Sequence, residues 1–135
     1  MVTDPFTKWS DLLSRDAIRV EKPWGYELHW AKTDRYVGKL IHVNAGHALS
    51  LQFHNVKDEA WYVLEGRAEV ELGAPGDSVL ASEVVGPGAA FRFTPGTVHR
   101  VKAVEDTTIL EVSTPELDDV VRLEDSYGRT GTSEP

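Results

Sequence analysis

Short apolar segments alternate with turn signals along this chain from Trp24 onward, and this pattern limits the folds that the chain can adopt. The segments are rich in Val, Ile, Leu, Thr and aromatic residues, most of which favour strands. Glycine, proline, asparagine and aspartate stand between them, for example at residues 44–46, 73–77 and 86–88. About nine strands at regular spacing, with no helical segments between them, predict an all-β sandwich or barrel.

The segment that precedes these strands has a different periodicity. Trp9, Leu12, Leu13 and Ala17 fall on one stripe at helical spacing. The spacing predicts a short helix over residues 5–18. At the other end of the chain, the residues after Gly128 are mostly small and polar, which is typical of a frayed tail.

The composition argues against several classes of partner. The net charge is −8, so the overall field of the protein repels nucleic acid. No apolar run approaches the roughly 20 residues of a membrane helix, and residues 1–10 lack the pattern of a signal peptide. The chain has no cysteine, which excludes disulfides and thiolate ligands. We therefore expect a cytoplasmic protein that binds neither nucleic acid nor a membrane.

Four residues with metal-binding side chains occur at spacings that favour a common site. Gln52 and His54 lie at i and i+2, and alternate residues of a strand point to the same face. Glu59 follows a short loop, where a returning hairpin would bring it opposite His54, and His99 comes from a later segment. An amide, two imidazoles and a carboxylate form a mixed nitrogen and oxygen site that suits a first-row divalent metal.

These residues also carry a resemblance to the cupin superfamily, whose members have two short motifs of fixed spacing. The first motif here keeps every spacing, with Gln52 in place of a histidine. The second motif keeps the glycines and the histidine, with Thr94 in place of proline and Ala103 in place of asparagine. The motifs run Gly46-x5-Gln52-x-His54-x4-Glu59-x6-Gly66 and Gly88-x5-Thr94-x-Gly96-x2-His99-x3-Ala103. The resemblance implies a single cupin barrel (a double-stranded β-helix, or jelly roll) that follows the short N-terminal helix.

Three stretches resemble the mannose-6-phosphate isomerase module, which is the C-terminal part of bifunctional enzymes that also make GDP-mannose. They are the Gln-x-His pair within residues 49–54, the Lys-Pro-Trp-Gly segment 22–25, and the segment 118–129, in which Ser126 replaces an arginine. The resemblance extends from about Lys22 to Arg129. We therefore expect a helical arm at residues 1–21, a cupin barrel at residues 22–129 and a disordered tail at residues 130–135.

The same resemblance implies that Gln52, His54, Glu59 and His99 bind one divalent metal ion. Zinc is the expected ion, with iron, manganese, nickel and cobalt as alternatives. Three or four protein ligands leave a position open for water or substrate, which is typical of a catalytic site. Because the amide is neutral, the bound ion would be more electrophilic than in a site with two carboxylates.

An isomerase of this kind moves a proton between C1 and C2 of a sugar phosphate, such as mannose 6-phosphate, through an enediol. This step needs a base and a group that stabilises the enediolate. The sequence leaves the base open among His42, Lys39, Glu111 and a metal-bound water. The resemblance implies that Lys39, Tyr127 and Arg129 bind the substrate, and an arginine can hold phosphate oxygens in a bidentate manner.

Two other functions remain open. The departures at Thr94, Ala103 and Ser126 favour a non-catalytic barrel that binds a metal or a sugar. Two histidines and a carboxylate could instead hold iron in a cupin-type dioxygenase. The cupin resemblance also implies a homodimer formed through edge strands, and exposed edges need some such cover.

Overall fold

The structure is a computed structural model, which describes residues 17–132. These residues form twelve β-strands and no helix. The strands are β1 (Ile18–Lys22), β2 (Gly25–Lys32), β3 (Val37–Val43), β4 (Leu51–Phe53), β5 (Glu59–Glu65), β6 (Ala68–Gly73), β7 (Ala81–Val85), β8 (Ala90–Phe93), β9 (Val98–Ala103), β10 (Thr107–Ser113), β11 (Val121–Glu124) and β12 (Gly131–Thr132). The all-β prediction is confirmed, and the segments predicted as strands correspond to β2 through β10.

The predicted helix over residues 5–18 lies outside the described residues except at its C-terminal end. There, Ala17 belongs to no element and Ile18 begins β1, so these two residues are not helical. Strand structure extends past both ends of the predicted barrel, through β1 before Lys22 and through β12, which pairs with β11. Within residues 17–132 no helix has the length and apolar character needed to cross a membrane.

The strands form two six-stranded sheets in which every pair is antiparallel. The first sheet has the order β1-β2-β3-β10-β5-β8, and the second has the order β12-β11-β4-β9-β6-β7. Neighbours in each sheet are therefore often distant in sequence. This arrangement brings β4 beside β9 and joins the two predicted motifs in one sheet.

The hydrophobic core lies between the inner faces of the two sheets. Ile41, Ile109 and Val63 stand side by side on β3, β10 and β5, and Val70 pairs with Val101 across β6 and β9. All five side chains are buried. Removing a side chain of this size from water contributes about 1.5–3 kcal/mol to stability.

A row of polar residues crosses the inner face of the first sheet next to this core. In register across β2, β3, β10 and β5 stand His29, Lys39, Glu111 and Trp61. Charged side chains on an inner face are unusual, because desolvation is costly unless they find partners. The row therefore marks the part of the interior where a cavity and a polar site can form.

Candidate metal centre

Two histidines and one glutamate meet in the interior from three different strands or strand ends. His54 directly follows β4, Glu59 opens β5, and His99 lies in β9, whose backbone pairs with β4 at Gln52. The Nε2 atoms of His54 and His99 lie 3.5 Å and 3.2 Å from Glu59 Oε1. The ligand atoms of the three residues all lie within 4.8 Å of one another, and each residue is at most 2% exposed. This group could hold a metal ion.

The Nδ1 atom of each histidine ring forms a hydrogen bond with a backbone carbonyl. His54 Nδ1 donates to the carbonyl of Asp119 at 2.5 Å, and His99 Nδ1 donates to the carbonyl of Thr97 at 2.9 Å. A carbonyl can only accept, so both Nδ1 atoms carry hydrogen, and a neutral ring then presents the lone pair of Nε2 inward. Such carbonyl partners are the usual orienting groups of metal-bound histidines.

The inward-pointing atoms fit a cation. Among the described residues, neither Nε2 atom has a hydrogen-bond partner, and the same is true of Glu59 Oε1. Burial alone would raise the pKa of Glu59, but hydrogen bonds from the N–H groups of the two rings, when Nε2 carries hydrogen, and the ammonium of Lys57 hold that pKa well below its usual value. An ionised carboxylate and two imidazole lone pairs that share one buried point match the donor set of zinc or another first-row divalent ion.

Gln52 borders the same cavity as His54 and Glu59. Its side-chain Oε1 accepts a hydrogen bond of 2.7 Å from the hydroxyl of Ser50. This contact orients the amide on the strand that pairs with His99. The structure thus brings all four predicted ligands to one region, with three in direct mutual contact and the amide beside them.

A buried lysine connects the histidine and glutamate group to a second carboxylate. Lys57 Nζ lies 2.9 Å from Glu59 Oε2 and 3.4 Å from Glu111 Oε2. Burial would lower the pKa of Lys57, but the charges of Glu111 and Glu59 raise that pKa above its usual value. The other oxygen of Glu111 accepts a hydrogen bond of 3.1 Å from Trp61 Nε1. Glu111 is therefore fixed in place at the cavity wall.

A second charged group lies on β2 and β3 in the same cavity. Lys39 Nζ lies 3.2 Å from Glu27 Oε1, and His29 Nε2 donates to the same oxygen at 2.8 Å. Burial would raise the pKa of Glu27, but the hydrogen bond from His29 and the charges of Lys39 and Lys22 lower that pKa to about 2. Glu27 is thus ionised and holds the buried Lys39 in position.

Cationic side chains are in excess around the cavity. Lys22, Lys39, Lys57, Arg122 and Arg129 line it, together with the carboxylates of residues 27, 59 and 111. Burial lowers the pKa of Lys22; Glu27 opposes this shift, whereas Lys39, Arg122 and Arg129 add to it. The positive charges therefore repel one another inside a protein whose net charge is −8, and an anion would relieve that repulsion.

The remaining predicted site residues lie in three different settings. His42 is on the outer face of the first sheet, where it stacks on Tyr26 and hydrogen-bonds to Thr108, so it does not line the cavity. Tyr127 hydrogen-bonds to His47 Nδ1 at 2.7 Å and packs against the core without lining the cavity. Arg129 lines the cavity, with its guanidinium held by Asp125.

Sequence reasoning missed Lys22, Glu27, Lys57 and Arg122 as cavity residues. Each is a charged residue at a strand end, on a strand or in a loop, and the sequence pattern of each is that of a solvent-exposed position. Lys57 carried one usable signal, because it lies two residues before Glu59, in the short loop of the first motif. The alternation of residues along the strand of Gln52 gave no comparable indication that Lys22, Glu27 or Arg122 would line the cavity.

Solved structures with the same fold come from several different proteins. The structure superposes on CapF from Staphylococcus aureus with a TM-score of 0.69 at 18% identity, over 89% of this chain and 37% of that one. For oxalate decarboxylase from Bacillus subtilis the TM-score is 0.70 at 20% identity, over 85% of this chain and 32% of that one. For KdgF from Halomonas sp. the TM-score is 0.63 at 25% identity, over 76% and 91%. Together, the two antiparallel sheets and the buried histidine and glutamate group define a cupin-type barrel.

Sequence comparison assigns the family. The family described as mannose-6-phosphate isomerase C-terminal matches residues 13–125, and this chain belongs to that family. Xanthan biosynthesis protein XanB of Xanthomonas campestris is 35% identical over 117 residues, which are 83% of this chain and 24% of that protein. Mannose-1-phosphate guanylyltransferase of Escherichia coli K12 is 35% identical over 115 residues, or 82% and 23%. The chain thus spans about a quarter of the length of these relatives, and the predicted resemblance is confirmed.

Proposed function

We propose that this chain is a metal-dependent aldose–ketose isomerase that interconverts mannose 6-phosphate and fructose 6-phosphate or a close analogue. The observation that carries the proposal is the composition of one cavity. That cavity combines a metal-binding group with an excess of cationic side chains. The family match supports the same reaction class.

The proposed metal ligands are His54, Glu59 and His99, with Gln52 as the fourth. When bound, a divalent ion would polarise the carbonyl oxygen of the substrate as a Lewis acid. The remaining tasks of the reaction belong to the cavity residues. They hold the phosphate, exclude bulk water and move the proton.

The substrate phosphate is assigned to the cationic residues Lys22, Arg122 and Arg129. All three line the cavity, and burial lowers the pKa of Lys22 and of Arg122, with the charge of Arg129 adding to both shifts and that of Arg122 to the shift of Lys22. A phosphate dianion would compensate these charges, and the two arginines can each offer two parallel donors to its oxygens. The hexose would then extend from this group towards the metal ligands.

Glu111 is the proposed base for the proton at C2. Of the three carboxylates in the cavity, Glu59 is a proposed metal ligand, and Glu27 is held by Lys39 and His29 with a pKa of about 2. Glu111 is oriented at the cavity wall by Trp61 and Lys57 and has no proposed role in binding the metal. In the aldose, Glu111 takes the C2 proton, the electron pair forms the C1–C2 double bond, and the carbonyl oxygen at C1 receives a proton. Return of a proton to C1 and loss of the hydroxyl proton at C2 complete the ketose.

The first test joins metal analysis to a coupled assay with mannose 6-phosphate. We expect Gln52→Ala and His99→Ala to lose the metal while staying folded, because each removes one donor. His42→Ala is the matched control, since it removes an imidazole on the outer face, and we expect it to keep both metal and activity. Retention of the metal in both ligand variants would refute the site.

The second test separates the base from the metal. We expect Glu111→Gln to keep the metal and to lower kcat by about 10²–10⁴-fold, the usual contribution of a positioned base. If the metal-loaded wild-type protein shows no turnover, the result would instead favour a non-catalytic barrel that binds a metal or a sugar. Bound iron together with oxygen uptake would favour a dioxygenase.

A further inference from the structure

A short loop between β11 and β12 brings Arg129 to the cavity. The backbone N–H of Gly128 donates to the carbonyl of Asp125, and the backbone N–H of Arg129 donates to Asp125 Oδ2 at 2.8 Å. The guanidinium donates to both oxygens of the same carboxylate, from Nε at 2.9 Å and from Nη2 at 3.0 Å. Within the described part of the chain, these bonds occupy two of the five guanidinium N–H groups, so donors remain for an anion.

Arg129 lies where like charges repel it. Its charge adds to the lowering of the pKa of Lys22 and of Arg122, because the three cations are close together. The side chain of Arg129 is 26% exposed, so its guanidinium can reach solvent. Asp125 offsets part of the repulsion, but it belongs to the same loop. A contact with another part of the barrel is therefore needed to fix the loop as a whole.

Tyr127 supplies a contact of this kind. Its side chain packs against the hydrophobic core, and its hydroxyl is hydrogen-bonded to Nδ1 of His47 at 2.7 Å. The two rings are nearly parallel, with an interplanar angle of 10° and centroids 6.1 Å apart. The pair joins residues that are 80 positions apart in the sequence. It thus attaches the loop to a distant part of the chain.

His47 is itself held in place through its backbone. It lies in the turn between β3 and β4, where its N–H donates to the carbonyl of Asn44 and its own carbonyl accepts from Ala103 of β9 at 2.9 Å. The same turn is fixed by Asp106, whose Oδ1 accepts from the N–H of Ala45 at 2.7 Å. A hydrogen bond to His47 therefore connects the loop of Arg129 to a well-ordered turn.

We propose that Tyr127 and His47 are positioning residues, which hold the guanidinium of Arg129 at the cavity wall so that it can bind an anionic group of the substrate. Neither residue lines the cavity. Whereas the family resemblance implies that Tyr127 binds the substrate, its place outside the cavity assigns it an indirect role through Arg129. This inference rests on the proposed function, in which Arg129 binds the substrate phosphate.

Calorimetric titration of the full chain, as purified, with inorganic phosphate tests the role of the pair. Tyr127→Phe keeps the ring but loses the hydrogen bond, and we expect its dissociation constant for phosphate to rise by about 3–10-fold. His47→Ala should have a similar effect. The matched controls are Tyr36→Phe, at a position that is 56% exposed, and His42→Ala, on the outer face of the first sheet. Neither control residue lines the cavity, so we expect both variants to bind phosphate as the wild type does.

A double-mutant cycle with Arg129→Met separates positioning from general stability. Arg129→Met should weaken phosphate binding by about tenfold. If Tyr127 acts through Arg129, adding Tyr127→Phe to this variant should change the dissociation constant by less than about twofold, the scatter expected where no further effect exists. A substitution that only loosens the fold would weaken binding by the same factor whether or not Arg129 is present.

Exchange of the Arg129 Nε–H proton with water, followed by nuclear magnetic resonance, measures the position of the guanidinium without an anion. Loss of the signal in Arg129→Met assigns it. We expect exchange to be about 3–10-fold faster in Tyr127→Phe than in the wild type, because the contact with Asp125 opens more often. Tyr36→Phe should leave the exchange rate unchanged.

The two measurements distinguish failure of this inference from failure of the proposed function. If the wild type binds phosphate and Tyr127→Phe binds it equally well, the positioning role is overturned. The same holds if Tyr127→Phe weakens binding equally with and without Arg129. If the wild type binds no phosphate, the proposed phosphate site fails and Arg129 has no anion to bind. Equal Nε–H exchange in the wild type and Tyr127→Phe would then overturn the positioning of the guanidinium as well.

Discussion

At the scale of single residues, the carboxylate of Glu27 shows how the cavity controls charge. Its pKa of about 2 compares with an ordinary value of 4.5, and the difference comes from His29, Lys39 and Lys22, which outweigh burial. A lowered pKa means that the folded state binds the proton less well than the unfolded state does. The resulting stability is present above the ordinary pKa and is lost as the pH falls from about 4.5 towards about 2.

The corresponding prediction compares the wild type with Glu27→Gln. We expect the stability advantage of the wild type to shrink by about 2 kcal/mol between about pH 7 and about pH 3, since the amide cannot titrate. Urea unfolding of both proteins at a series of pH values measures this difference. Glu83→Gln, an exposed residue on β7, is the control and should give parallel pH profiles. If the stability advantage of the wild type over Glu27→Gln does not depend on pH, this would contradict the lowered pKa of Glu27.

The inward and outward faces of β3 show where reasoning from single residues reached its limit. Alternation correctly separates Lys39 and Ile41 from His42, but it cannot say which set faces the interior. A lysine would ordinarily point to solvent. Here Lys39 is only 3% exposed, because Glu27 compensates its charge from the neighbouring strand. That compensation depends on register between strands, which the sequence of one strand does not contain.

At the scale of elements, the segment before β11 organises the loop that carries the metal-binding group. Asp119 Oδ1 accepts from the backbone N–H of Asn55, and Oδ2 accepts from Val56 and Lys57 at 2.7 Å and 2.9 Å. The carbonyl of Asp119 also fixes the ring of His54. A single residue thus anchors both the backbone of the loop and the orientation of a proposed ligand.

We expect Asp119→Ala to lower the free energy of unfolding by about 2–4 kcal/mol, because three backbone N–H groups lose a charged acceptor. We expect metal affinity to fall by about 10–100-fold, as for other orienting groups around metal sites. Asp118→Ala removes the exposed neighbouring carboxylate and is the matched control. Denaturant unfolding and competition with a metal chelator measure the two effects, and equal behaviour of the two variants would exclude the anchoring role.

The turn between β5 and β6 gives a second element-scale prediction. Gly66 has a φ of 94°, and a Cβ built there would lie 2.2 Å from the carbonyl oxygen of Asp106. Gly88 has a φ of 93° but no heavy atom within 4 Å of its Cβ position. We expect Gly88→Ala to cost about 1–2 kcal/mol from backbone strain alone, and Gly66→Ala to cost about 3 kcal/mol or more, since backbone must move. Urea unfolding should separate the two variants, and similar costs would contradict this explanation.

The strands themselves differ in how far sequence could predict them. The segments β2 to β10 are mostly rich in apolar and β-branched residues, and turn residues such as glycine, proline, asparagine and aspartate stand between them, so their pattern is strong. β1 and β11 consist largely of charged residues, as in Arg19, Glu21 and Arg122, and their strand conformation depends on pairing with β2 and β4. Local propensity therefore indicates the barrel, whereas pairing between distant segments determines its edges.

At the scale of the whole molecule, positive side chains are concentrated around the cavity, although the protein as a whole is negatively charged. The protein carries a net charge of −8, yet five cationic and three anionic side chains line the cavity. The cations come from residues as far apart as Lys22 and Arg129, so the sequence predicted only Lys39 and Arg129 as substrate-binding residues, whereas the metal ligands lie within two compact motifs. An acidic exterior repels other macromolecular anions, and a cationic interior can still attract a small one.

This separation predicts that inorganic phosphate binds in the cavity and stabilises the folded protein. We expect the melting temperature to rise with phosphate concentration, as for any ligand of the native state. Lys22→Met should weaken phosphate binding by about tenfold, since one charge contact near the surface contributes about 1–2 kcal/mol. Lys102→Met, which removes a lysine paired with Glu71 on the outside of the second sheet, is the control. A phosphate-dependent shift that is the same in both variants, or absent from the wild type, would place the anion elsewhere and remove the main support for a phosphorylated substrate.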